Sequence, residues 1–529
     1  MFAKLIKNKE AWFRVSLVTT ILLAIAEIAL LLMYRETWVD EQIYLFKSLV
    51  ILRGDFVPFG DILVEYPPAF ILIYGLPQLI FGAGFYVGRL TAVLVLVICL
   101  ILFFKLAEKL SSRWLALGSV IFLLSNVLLI GNYISVSLYA PSLLVMLVMV
   151  YTETLSIKSR SKIIIAGICG ALLILIRINL VPVVIVYLAY LIWQKTSLKQ
   201  VSLFVGVFAA VVILGYLPIV LSNPTLAISY ILSPFHVLGP LKALPTNGVS
   251  SPGLSSMLLV LAEFIKEYLI YLALFLAVAF AFVKGLSKEV AIRQFLIQEK
   301  IYVFVTVLGV ALIATHYFYW RIAGNLYYAN YFIPILVLSA IIGTFKFTDD
   351  KSPWVLVLIV GIILNFGANI LRTDVVSSPN SESDLTRVER GAAFVKANTQ
   401  PTDTVVAFDN SIFQVYLAGR KTYPQLINRD FYYLGGESKE VASSLLMYNF
   451  DMLTDWIKNS DYLVLHEESW PVMFRRAFWK DNVKVDGRLE IEKLLKDRFT
   501  LVGTEKNVYP RKYTEGNDGG TLLLYKRIK

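Results

Sequence analysis

Charge is scarce in this 529-residue chain. Asp, Glu, Lys and Arg together make up 16% of it, against roughly 25% in soluble domains. Cysteine and histidine are rarer still, at two and three residues. Cys99 and Cys169 both lie inside apolar runs, and no CxxC pair or Cys/His metal spacing occurs, which excludes a disulfide framework and a zinc module. No Walker A or GxGxxG sequence is present, so a nucleotide-dependent enzyme is not expected. The formal charge is +11. Its basic residues form short clusters between apolar blocks rather than one patch, so they read as topology signals and not as a nucleic-acid surface.

Apolar residues, by contrast, make up 57% of the chain and fall in long blocks. Blocks near 14–33, 88–104, 114–131, 138–154, 162–176, 178–193, 200–221, 268–283, 301–315, 327–345 and 354–371 give eleven candidate spans. Basic residues cluster in alternate connections: Lys4/Lys7/Lys9/Arg14, Lys105/Lys109/Arg113, Lys158/Arg160/Lys162, Lys195/Lys199, Lys284/Lys288/Arg293/Lys300 and Lys346/Lys351. By the positive-inside rule these connections are cytoplasmic, the N-terminus is inside, and an odd number of spans carries the C-terminus outside a plasma membrane. No small-residue cleavage site follows the first apolar run, so it is expected to remain as a helix.

Residues 67–83 are apolar but hold Pro67, Pro68, Pro77, Gly75 and Gly82, and counting them as a span would reverse the topology. They are expected to form an interfacial or re-entrant helix, as are residues 254–267. After Arg372 the composition changes. A polar linker covers 373–385, followed by helical patterns at 385–398, 438–458 and 487–497. These alternate with β-rich runs at 404–408, 461–465, 499–503 and 521–525. The expected architecture is a polytopic α-helical membrane protein of about eleven spans with a C-terminal soluble α/β domain. Residues 1–372 form the membrane-embedded part, with 34–87 its first outer loop, and 386–529 form the extracytoplasmic domain.

The first loop concentrates the chemistry. Asp40 and Glu41 follow the first span closely, Asp55, Asp61 and Glu65 come next, and Tyr66-Pro67-Pro68 closes the loop. Adjacent carboxylates at a membrane edge need pairing, water or a cation. They suit either the cap of an interfacial helix or an acid pair facing a cavity. This acidic pair, the Glu65-Tyr66-Pro67-Pro68-Ala69-Phe70 segment, then Phe81-Gly82 and Gly88-Arg89-Leu90 opening the next span form an ordered series. It resembles the GT-C glycosyltransferases, in particular the group of protein O-mannosyltransferases and bacterial aminoarabinose (lipid A) transferases.

That resemblance implies a polyprenyl- or dolichyl-phosphate sugar donor, with transfer to a lipid, glycan or protein hydroxyl on the extracytoplasmic side. Asp40 matches the first-loop catalytic acid, Glu41 stands beside it, and Glu65 matches the acid before the proline segment. A carboxylate would deprotonate the acceptor while cations stabilise the leaving phosphate. Candidates for the phosphate are Arg321, amid His316, Tyr317, Tyr319 and Trp320, and Arg177. Tyr66, Tyr328 and Asn330 occupy further positions of the family pattern, Asn330 where relatives carry arginine. An arginine among aromatics also suits an interfacial anchor. Arg89 is a candidate partner for a first-loop acid. No acid occurs in Asn132–Pro141, where the family often has a second one, so a divalent cation (Mg2+ or Mn2+) stays open, with Asp40 its ligand if one is bound. His236 and His316 read as structural, and His466 as a solvated strand end. The alternative class is a transporter or flippase for a lipid-linked sugar, which predicts ionisable residues deep in the spans and an internal repeat.

Overall fold

The computed structural model describes residues 9–35, 39–64, 66–232, 299–315, 329–347, 362–363, 382–407, 411–427, 433–434, 437–467, 487–509 and 520–528. The chain divides into two compact units: residues 1–31, 92–216 and 246–375, and residues 32–91, 217–245 and 376–529.

Helices of the first unit follow the apolar blocks. The chain runs through α1 (Lys9–Tyr34) and, after the first loop, α4 (Phe85–Leu110), α5 (Arg113–Leu124) and α6 (Val127–Ile134). It continues through α7 (Tyr139–Glu153), α8 (Ser159–Ile176), α9 (Val181–Trp193) and α10 (Leu198–Ser222). The next helix, α11 (Pro224–Leu232), belongs to the second unit, and the first unit resumes with α12 (Lys300–Ala314) and α13 (Ala329–Phe347). Among the described residues α1, α4, α8 and α10 are long and apolar enough to cross a membrane alone. The 26 residues of α4 measure about 39 Å, against a hydrocarbon core of about 30 Å. Leu22, Leu23, Ile213 and Leu214 are exposed on α1 and α10, as a lipid-facing surface requires. The chain is thus membrane-embedded. The expected span at 268–283 and the helix at 254–267 lie outside the described residues, and of 354–371 only residues 362–363 are described.

The block at 114–131 departs from a single continuous span. It is two helices, α5 and α6, bent by 79°. The break has a local cause: the Asn126 side chain accepts a hydrogen bond from Leu129 N at 2.8 Å and so caps α6, while Ser125 Oγ donates to Phe122 O. Between helices, Tyr187 donates to Glu153 Oε1 at 2.6 Å, and Tyr190 stacks on Phe304 at 4.6 Å. Thr306 and Ser339 join α12 to α13 through a 2.6 Å hydrogen bond.

In the second unit, the first loop forms two helices, α2 (Val39–Arg53) and α3 (Ala69–Phe81). Thirteen residues of α3 measure about 20 Å, too short to cross a bilayer, which agrees with an interfacial or re-entrant helix for 67–83. The α2/α3 contact is tight at Gly75, where a Cβ would lie 2.8 Å from Ser48 O. Residues 41–50 of α2 are all buried, including Lys47, whose Nζ donates to Leu63 O at 3.0 Å.

The C-terminal residues of this unit build a four-stranded sheet. Its elements are α14 (Asp384–Asn398), β1 (Val405–Val406) and α15 (Ile412–Leu417), then α16 (Lys439–Ser444), α17 (Phe450–Asn459) and β2 (Tyr462–His466). They close with α18 (Gly487–Arg498), β3 (Phe499–Lys506) and β4 (Thr521–Arg527). The strand order is β1-β2-β4-β3, with β1 parallel to β2 and the other pairs antiparallel. The helical pattern at 438–458 is interrupted: Leu446 adopts φ 55°, and Asn449 caps a new helix by accepting from Met452 N at 3.0 Å. His466, expected as a solvated strand end, is fully buried: it pairs with Leu522 of β4 and its ring meets Tyr509 edge-on at 3.9 Å.

Candidate active site

Asp40 and Glu41 occupy the first turn of α2, where a helix N-terminus favours negative charge. Glu41 is 1% exposed and its Oε2 accepts from Arg89 Nε at 3.2 Å and Nη2 at 3.0 Å. The remaining Arg89 nitrogen, Nη1, donates to Leu32 O at 3.2 Å and Arg35 O at 3.1 Å. One guanidinium therefore caps carbonyls at the C-terminal end of α1 and neutralises the acid at the start of α2, which ties the two helix ends together. The expected pairing of Arg89 with a first-loop acid is met by Glu41. Asp40 stands one residue earlier on the same helix; its side chain and Glu65 lie outside the described residues.

Tyr66 enters an aromatic group in this unit. Its ring is 4.7 Å from that of Tyr44 and 6.2 Å from that of Phe70, and Tyr44 also meets Phe70 and Tyr74. These rings line the facing surfaces of α2 and α3 beside the Pro67-Pro68 turn.

A second polar group lies within the first unit. Arg177 sits in extended backbone at the end of α8, and its guanidinium carbon is 5.7 Å from the centre of the Tyr331 ring. Tyr331 in turn lies 4.9 Å from Tyr139. Asn330 is fully buried at the start of α13; its carbonyl accepts from the Tyr133 hydroxyl. The Oδ1 and Nδ2 atoms of Asn330 have no hydrogen-bond partner among the described residues. The connection between α6 and α7 folds back on itself, with Ser135 and Ser137 both donating to Asn132 O at 2.8 and 2.9 Å. Arg177 and Asn330, far apart in sequence, thus come together, joined by Tyr133, Tyr139 and Tyr331. Sequence reasoning missed these tyrosines; the run Asn132–Tyr139, unusually rich in Asn, Ser and Tyr between apolar blocks, is the signal that marks them. Arg321, Tyr328, His236 and His316 lie outside the described residues.

This arrangement offers a planar cation, aromatic faces and an amide with unused hydrogen-bonding capacity, the groups that recognise an anionic headgroup bearing a sugar. Among the described residues no three His, Cys, Asp or Glu side chains converge as metal ligands.

Residues 65–220 match the family model of dolichyl-phosphate-mannose-protein mannosyltransferases. Comparison with curated proteins finds no significant match. Among solved structures the chain is similar to ArnT from Cupriavidus metallidurans bound to undecaprenyl phosphate. The TM-score is 0.63 at 12% identity, over 98% of each chain. ArnT in the apo state gives 0.59 at 12% identity, over 96% of this chain and 97% of that one. The apo oligosaccharyltransferase of Archaeoglobus fulgidus gives 0.50 at 11% identity, over 89% of this chain and 71% of that one. The chain has the fold of the GT-C membrane glycosyltransferases, the group its first-loop motifs resemble.

Proposed function

We propose that the chain transfers a monosaccharide from a polyprenyl- or dolichyl-phosphate carrier to an acceptor hydroxyl on the extracytoplasmic side, with Asp40 as general base. The observation that carries this reading is the Arg89–Glu41 pair, which anchors the acid-bearing turn of α2 to the end of α1. Such anchoring is what a catalytic carboxylate needs if it is to be held within hydrogen-bond reach of its substrate. ArnT, similar in fold over nearly its whole length, is recorded with undecaprenyl phosphate, which supports a lipid-phosphate donor here.

In this reaction Asp40 takes the proton of the acceptor hydroxyl as its oxygen bonds to the anomeric carbon. The bond from that carbon to the phosphate oxygen breaks, and the polyprenyl phosphate leaves with the electron pair. Inversion follows from the single displacement. Arg177 stabilises the departing phosphate, and Asn330 and Tyr139 face the headgroup. Arg321, Tyr328 and Tyr66 are further contacts to the donor, and Glu65 assists Asp40. Glu41, committed to Arg89, holds the turn. A divalent cation, Mg2+ or Mn2+, enters this reading only as a ligand of Asp40, and chelation with EDTA during turnover decides whether one is used.

The test is transfer of label from a panel of radiolabelled polyprenyl-phosphate monosaccharides to acceptors in membranes containing the full chain. Asp40→Asn should lower transfer about 10²- to 10⁴-fold, the usual contribution of a general base. Full activity of folded Asp40→Asn refutes the base. Counterflow of intact donor without covalent product would mean a flippase. For orientation, cysteines placed in 105–113 should resist impermeant reagents added from outside.

A further inference from the structure

We infer that Tyr416 is a positioning residue for the acid-bearing helix α2, acting through Gln78. The inference rests on the reading of Asp40 as base. Gln78, on α3, is 1% exposed and uses its whole amide. Its Nε2 donates to Leu45 O of α2 at 2.9 Å, to Tyr74 O at 3.0 Å and to Ser48 Oγ at 3.3 Å. Its Oε1 accepts from the Tyr416 hydroxyl at 3.2 Å. The Tyr416 ring meets Phe46 of α2 edge-on at 4.4 Å. Leu49, Val50, Ile62 and Ile427 complete a buried apolar cluster around the contact.

Tyr416 is itself held by the C-terminal sheet region. On the same short helix, α15, Gln414 Nε2 donates to Val508 O at 3.0 Å, and Ser411 at its start bonds the Tyr509 hydroxyl at 2.6 Å. Phe413 adds a ring contact to Phe85 at 6.0 Å, just before Arg89 on α4. The C-terminal residues therefore grip both ends of the arrangement that carries the acids, α2 and the start of α4. At 15 residues α2 is about 22 Å long, so no bilayer crossing sets its tilt. Its tilt is set by these contacts, and a shift of about 1 Å at a catalytic group can cost 10²-fold in rate. Removing the Tyr416 hydroxyl leaves Gln78 Oε1 buried without its donor.

The experiment compares full-length wild type, Tyr416→Phe, Gln78→Leu and the double variant by amide hydrogen exchange and by transfer kinetics on the polyprenyl-phosphate sugar panel. Tyr416→Phe should speed exchange across 39–53 while leaving 462–466 and 521–527 unchanged. It should lower kcat about two- to tenfold, the factor one such hydrogen bond corresponds to, with donor KM within twofold. Gln78→Leu should do the same, and the double variant should be no slower than the slower single. Unchanged kcat, additive losses, or faster exchange throughout the sheet overturns the inference. Should Asp40→Asn keep full transfer while Tyr416→Phe still loosens α2 and lowers kcat, the base assignment falls and the positioning role stands.

Discussion

Arg89 aims two nitrogens at a single oxygen of Glu41, at 3.2 and 3.0 Å, and both side chains are almost wholly buried. Breaking a buried pair by removing one partner leaves the other charge uncompensated. Glu41→Gln and Arg89→Leu should therefore each cost about 3–5 kcal/mol, whereas replacing both with apolar residues of similar volume should cost much less. Thermal unfolding in detergent, run on both singles and the double, reads the difference.

Gly75 marks where α3 meets α2. A Cβ there would sit 2.6 Å from Leu52 Cδ1 and 2.8 Å from Ser48 O; the first neighbour can turn aside, but the backbone oxygen cannot. Gly75→Ala should cost about 1–3 kcal/mol and accelerate exchange in both helices. Gly206→Ala on α10, with open space around it, is the matched control and should leave the midpoint unchanged or slightly raised.

Arg177 lies against the Tyr331 ring as a planar cation. If it receives the donor phosphate, Arg177→Lys should raise donor KM about tenfold or more, since an ammonium keeps the charge but loses the fork and the stacking face. Asn330→Ala should raise donor KM as well. Initial rates across a donor concentration series settle both.

Burial pushes the Tyr416 phenol well above its ordinary value of 10.0, with smaller effects from Arg53, which lowers it, and Asp55, which raises it further. A group whose folded value is raised lends stability that is fully present below its unfolded value and is lost as pH rises towards the folded one. The α2–α15 contact should hold up to pH 10 and weaken above it. Exchange across 39–53 measured from pH 8 to 11 should show that step in wild type and lack it in Tyr416→Phe.

Much of the scaffold could be read from patterning. Nine of the eleven apolar blocks fall on described helices or helix pairs, four of them long enough to cross a membrane alone, and the β-rich runs fall on the four described strands, because both signals are carried by contiguous residues. The break at Ser125–Asn126 was hidden, since two polar residues inside an apolar block do not announce that one of them caps a new helix. Helix α15 was missed because IFQVYL is as apolar and β-branched as a strand. What is local was legible, as with the adjacent acids Asp40 and Glu41 that open α2, and what depends on distant chain was not. Nothing in Gln78 or Tyr416 alone indicates that they meet, and the same holds for Tyr133 and Asn330. Arg89 was the exception, because an arginine opening an apolar helix near two acids has few other destinations.

The Gln78–Tyr416 contact joins residues 338 positions apart. At about 5–20 residues per second, a ribosome needs on the order of tens of seconds between making one partner and making the other. During that interval α2 and α3 must wait without the contact that fixes them. Strand β4, interior to the sheet between β2 and β3, is made later still. The packing of α2 on α3 is therefore completed from the far end of the chain, and the first loop reaches its final order only after the last strands have been made.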